Sequence, residues 1–154
     1  MALAAATLAD ALDVYAPTLD AAVAAQNFAA AYATYMSEAD GIVGDALSAS
    51  ESAMASAMAF DASTANGSAQ LQAGLVAFWS GMVSAVATLF PGHTVLTPAP
   101  GIASVSASLA PVLVTNTDNA ISKASALSNL ANAIHTASQG GTKAAPPAAA
   151  TAIA

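Results

Sequence analysis

Cysteine is missing from this 154-residue chain. Its absence removes disulfides, thiolate catalysis and cysteine-held metals, and leaves the redox compartment open. Basic residues are almost missing too. Lys123 and Lys143 are the whole complement, and with nine acidic residues they set the formal net charge at −7. Nucleic-acid binding needs cationic side chains to neutralise phosphates, so the composition argues strongly against it, and likewise against attraction to an anionic membrane surface. Charged residues of both signs make up 7% of the chain, against about 25% in ordinary soluble domains. The N-terminus, MALAAATLADALD, has no basic stretch and meets Asp10 early, so it does not read as a signal peptide.

What is present is small and apolar. The hydrophobic class reaches 56%, but aromatics are only 5% and much of the remainder is alanine. Alanine buries little area, so a core built from it is thin unless the elements pack closely or neighbouring subunits add to it. The length suits one domain, or one domain with a tail. No internal repeat stands out.

The strongest pattern is LQAGLVAFWSGMVSAVATLF, Leu71 to Phe90. Its large apolar residues, Leu71, Leu75, Phe78, Trp79, Met82, Val83, Val86, Leu89 and Phe90, recur at the spacing of one helical face. Gln72, Ala73, Ser80, Ser84, Ala87 and Thr88 form the opposite face, and Pro91-Gly92 stops the helix. This is the predicted central core helix. No charged side chain falls between Asp61 and Asp118, and Leu71–Phe90 is long enough to span hydrocarbon. Against a span stand Gln72, Ser80, Ser84, Thr88 and two glycines, with no flanking lysine or arginine to orient it.

The other elements are predicted in the same way. Residues 2–15 read as a short helix ended by Pro17. Thr18 is placed to cap a second helix from Leu19 to Met36, with Asp20 favouring its dipole. Its apolar stripe is Leu19, Val23, Phe28, Tyr32, Tyr35 and Met36, interrupted by Gln26-Asn27. Residues 42–60 read as a third helix with a small, polar middle at 48–52, and DASTANGS (61–68) as a loop with an Asn66-Gly67 turn. Residues 91–101 hold three prolines and read as an extended crossover, with a little strand around 94–97. Ile102, Val105, Leu109, Val112 and Leu113 keep helical spacing, although Pro111 allows helix only near a start or with a kink. Residues 115–119, TNTDN, are expected to cap a last helix that Gly140-Gly141 ends. The expected fold is all-α: a bundle of about five helices with a Pro-rich crossover, residues 1–142 forming the domain. Residues 143–154 are expected as a flexible tail or an extended C-terminal arm.

Chemistry is hard to find. His93 and His135 have no acidic or histidine neighbour at metal-ligand spacing. The carboxylates around Glu38, Asp40 and Asp45 lack the order of a calcium loop and read as a solvated rim. No serine lies in a nucleophile elbow and no glycines form a phosphate loop. No catalytic, cofactor-binding or metal residue is therefore expected, and no enzyme. Ala77 and Gly81 make a small-xxx-small pair that admits a neighbouring helix. Phe78, Trp79, Gly81, Met82 and Phe90 are the candidate interface residues, because aromatics dominate hot spots; a tryptophan of the chain's own core is the equal alternative.

AFWSGM at 77–82, LFPGHTVLTPAPGI at 89–102 and NTDNAISKASALSNLANAIHTASQGGT at 116–142 resemble a family of small alanine-rich proteins from tailed-bacteriophage structural gene clusters. The resemblance covers roughly residues 71–142 and implies a non-enzymatic virion component of the neck, tail or baseplate. Its implied partners are other virion structural proteins and copies of itself. It carries over no catalytic residue. The alternative from the residues is a small phage membrane protein of holin type, with Leu71–Phe90 as the span. A secreted alanine-rich helical hairpin fits in composition but lacks the expected WxG turn.

Overall fold

A computed structural model describes residues 3–18, 20–39, 44–60, 66–89, 95–117, 120–144 and 151–152. Among them are six α-helices: α1 (Ala5–Asp13), α2 (Ala21–Met36), α3 (Gly44–Ala57), α4 (Gly67–Leu89), α5 (Val105–Asn116) and α6 (Lys123–Ser138). A 3-10 turn, Ile102–Ser104, leads into α5. Three short strands, β1 (Val95–Thr97), β2 (Thr142–Ala144) and β3 (Thr151–Ala152), complete the described elements. The all-α expectation holds, with six helices for about five.

Each helix packs on the next in sequence, and α6 returns to pack on α1, so the bundle is a closed cycle of six helices. Its interior is filled by the large residues of the apolar stripes. Leu71, Leu75, Phe78, Trp79, Met82 and Val86 of α4 are buried together with Phe28, Tyr32, Tyr35 and Met36 of α2. Met54 of α3, Met58 just beyond its end, Leu109 of α5 and Ile134 of α6 close the core. The polar middle of α3, which interrupts its apolar pattern, packs closely against α4. Ser50 is buried with its hydroxyl donating to the Ala46 carbonyl at 2.8 Å, and a Cβ on Gly81 would sit 3.0 Å from the Ser50 Cα. Gly81 of the small-residue pair on α4 therefore serves α3 of the same chain.

Two caps differ from expectation. Asp20, not Thr18, is the N-cap of α2: one carboxylate oxygen accepts from the Ala22 and Val23 amides at 2.9 and 3.1 Å. Thr18 Oγ1 accepts from the Asp20 amide instead. Ser122, not TNTDN, caps α6 by accepting from the Ser125 amide. A serine already extended in the backbone next to the helix wins over donors further back. Of TNTDN, Asp118 and Asn119 lie outside the described residues, while Asn116 ties α5 to α6 by donating to the Ala126 carbonyl at 2.8 Å. Helix α5 also continues without a break across Pro111. The carbonyl deprived of its donor belongs to exposed Ala107, so water can serve it.

Gly140 takes φ +84°, ends α6 and turns the chain toward the sheet. There β2 pairs antiparallel with both β1 and β3, with Leu96 opposite Lys143 and Lys143 opposite Thr151. The predicted strand around 94–97 is thus β1, and the described residues after 142 are extended. Of the crossover, residues 91–94 lie outside the described residues, as do 145–150 and 153–154 of the C-terminal arm.

Candidate functional site

Among the described residues, polar chemistry inside the bundle is concentrated where α2, α4 and α6 meet. Trp79 Nε1 donates to Tyr32 Oη at 3.1 Å, and Tyr32 Oη lies 2.7 Å from Ser138 Oγ. Ser138 in turn donates to the Ile134 carbonyl at 2.8 Å. A hydroxyl has one proton, so the direction follows. Ser138 gives its proton to Ile134, Tyr32 gives its own to Ser138, and Trp79 gives to Tyr32. The chain of three donors ends on a main-chain acceptor with no proton left over. No buried side-chain nitrogen or oxygen among the described residues lacks a partner.

A second pair flanks the first. Tyr35 Oη is 2.8 Å from His135 Nδ1, and His135 Nε2 is 3.0 Å from the Gln139 amide nitrogen. Gln139 is exposed, so its amide can turn to suit either imidazole tautomer. The rings are also stacked edge to face: Tyr32 on Phe78 at 4.8 Å between centroids, and Tyr35 on His135 at 6.0 Å. Burial pushes the Tyr32 hydroxyl up to about 12, against smaller lowering effects of its bonds to Ser138 and Trp79. Burial also raises Tyr35 well above the ordinary phenol range, helped by Tyr32 and Glu38 nearby.

Chemically this cluster holds protons and does not release them. A nucleophile or base needs a lowered or intermediate pKa and access to substrate. Both tyrosines are raised and buried, and Ser138 already donates to a carbonyl. What the cluster does is fix the relative rotation of three helices, because only one setting satisfies every donor.

The remaining candidates are dispersed. Among the described residues no three histidine, aspartate or glutamate side chains come together as a metal site would require. Glu38 accepts from Thr7 Oγ1 at 3.0 Å, and Asp13 pairs with Lys123 on the surface. His93, Asp40 and the Asp45 side chain lie outside the described residues. The surface grooves are neutral for the most part. One between α5 and α6 is lined by Pro111, Thr115, Asn129, Asn132 and Thr136.

Of the five candidate interface residues, Phe78, Trp79 and Met82 are fully buried in this chain's own core. Gly81 packs against Ser50, and Phe90 lies outside the described residues. As folded, the three large side chains offer no surface to a second chain. Sequence reasoning placed Tyr32 and Tyr35 on the right stripe but missed Ser138. The available signal was that buried tyrosine and tryptophan seek hydrogen-bond partners, which directs attention to small hydroxyl residues on facing helices. Comparison with protein families, with characterised proteins and with solved structures finds no match.

Proposed function

We propose that this chain is a non-enzymatic structural subunit of a tailed-phage particle, in the neck, tail or baseplate, assembling with copies of itself or with other virion proteins. The observation that carries the assembly reading is the division of polarity. The polar groups of the interior are consumed in internal bonds, while the outward faces of α4 and α5 are small and uncharged. On α4 these are Ala73, Val76, Ser80, Ser84 and Ala87; on α5, Ala107, Ala110 and Val114, the last 72% exposed. Covering such faces desolvates no charge, so a large contact costs little to form. The assignment to a phage particle rests on the resemblance over residues 71–142.

Light scattering on the purified chain in detergent-free buffer, with circular dichroism on the same sample, tests assembly. A strongly helical species heavier than the 14.8 kDa monomer is expected. A strict monomer that also fails to appear in gradient-purified particles of the phage carrying its gene would overturn the reading.

A membrane protein of holin type is the second reading, favoured by one observation: Gly67–Thr88 is long and apolar enough to cross a bilayer, with mean hydropathy 1.4. In the fold, its large residues point inward and its outward face carries serines and alanines. Spanning would require α4 to turn that face out and give up the Trp79–Tyr32 bond. A requirement for detergent in the same experiment would favour this reading.

A further inference from the structure

Assembly through outward faces makes no use of the Tyr35–His135 pair. We propose that Tyr35 is a one-electron donor, the residue at which an oxidation reaching the core comes to rest as a neutral tyrosyl radical, with its proton held on His135. Three buried side chains of the core can lose an electron to a strong one-electron oxidant: Trp79, Tyr32 and Tyr35. They are neighbours. The Trp79 indole nitrogen lies 3.1 Å from Tyr32 Oη, and the Tyr32 and Tyr35 rings are 5.6 Å apart between centroids. An electron vacancy on one of them can therefore pass to the next.

The proton decides where the vacancy stops. An oxidised phenol or indole is a strong acid, and its radical persists where a base takes the proton. Trp79 donates to Tyr32 Oη, and Tyr32 donates to Ser138 Oγ; neither oxygen is a useful base. Tyr35 faces an imidazole instead, with Oη 2.8 Å from His135 Nδ1. In the tautomer that carries its proton on Nε2, Nδ1 is free to accept. Gln139 is exposed and 3.0 Å from Nε2, so its carbonyl oxygen can turn to receive that proton. His135 stands in the last turn of α6, where a cationic imidazole is favoured by the helix dipole.

The step balances. One electron passes from Tyr35 to the oxidant, the phenol O–H bond breaks, and a new N–H bond forms at His135 Nδ1. The products are a neutral tyrosyl radical, an imidazolium and the reduced oxidant. Return of one electron from an external reductant reverses both transfers. Tyr35 has no exposed surface, so its radical cannot couple with one on a second chain.

The test uses the full chain carrying Tyr15→Phe, which leaves Tyr32 and Tyr35 as its tyrosines. A photogenerated ruthenium(III) polypyridyl complex serves as the one-electron oxidant. The radical is identified by freeze-quench electron paramagnetic resonance and by transient absorbance. A tyrosyl radical is expected, and it should still form in Tyr32→Phe. In Tyr35→Phe, which keeps the ring, it should give way to an indolyl radical on Trp79. His135→Phe should lower the tyrosyl yield many-fold while the helical circular dichroism is kept. Because the proton moves with the electron, the radical should form several-fold more slowly in heavy water. A tyrosyl signal that persists in Tyr35→Phe, or a full yield in His135→Phe, would overturn the proposal. So would equal rates in light and heavy water, a comparison that needs neither the Tyr35 nor the His135 variant to fold.

Discussion

Tyr32 is the residue on which most depends. Its hydroxyl is both acceptor for Trp79 and donor to Ser138, so Tyr32→Phe strands a buried indole N–H without changing the ring packing. An unsatisfied buried donor costs about 1–3 kcal/mol. The urea midpoint should fall by that equivalent with an unchanged slope. Alkaline pH acts on the same group. In the unfolded chain tyrosine ionises near 10, whereas in the fold Tyr32 is held at about 12. Between these values the unfolded state has lost a proton that the folded state keeps, so stability falls as pH rises. The contribution is complete below about 10 and gone above about 12, amounting to roughly 3 kcal/mol, with Tyr35 acting in the same direction. Phenolate absorbance from the two buried rings should therefore appear together with the loss of helix, not before it. Gly141 is a third sensitive position, because a Cβ there would lie 2.7 Å from the Trp79 ring. Gly141→Ala is expected to shift the tryptophan emission and lower stability.

Among the elements, α2 and α5 make opposite predictions. Asp20→Ala removes the oxygen that two amides share and should cost about 1 kcal/mol, while Asp20→Asn keeps most of it. Pro111→Ala restores an N–H inside α5 and should stabilise the chain by about 1–2 kcal/mol, after allowing for the freer unfolded chain. Thermal unfolding of the pair measures both. These two helices also mark how far the sequence is legible. The stripes of α2 and α4 were readable because large apolar residues recur at helical spacing, and the buried set repeats them nearly residue for residue. Among the described residues of these stripes, Val23 is 40% exposed and Val83 half-buried. The cap of α2 was misplaced by two positions and that of α6 by at least three, because several capping residues lie close together and only backbone conformation selects one. Residues 48–52 read as weak helix, since small polar residues carry no apolar signal; their role is visible only once Gly81 lies against Ser50. The Tyr32–Ser138 bond joins positions 106 residues apart, and no local pattern encodes such a pair.

At the scale of the whole molecule, the scarcity of charge sets the response to salt. The surface ion pair of Lys123 with Asp13 is more than half exposed on both sides, so Lys123→Ala should change stability by less than about 1 kcal/mol. If the chain assembles through its neutral faces, raising the ionic strength should leave the mass by light scattering unchanged, because there is little Coulombic interaction to screen. A mass that falls steeply with salt would point to contacts made through the acidic residues instead.

The cycle of helices has a consequence for synthesis. Contacts α1–α2, α2–α3 and onward join neighbours in sequence and can form as the chain emerges. The seam between α1 and α6 cannot, nor can the Tyr32–Ser138 bond, until residue 138 has left the ribosome. Up to that moment a nascent chain holds the Tyr32 hydroxyl without its acceptor and one side of α1 uncovered. Long-range closure of this kind is slow relative to local packing. The growing chain is therefore a row of docked helices with an open flank, and its final fold is acquired in one late step.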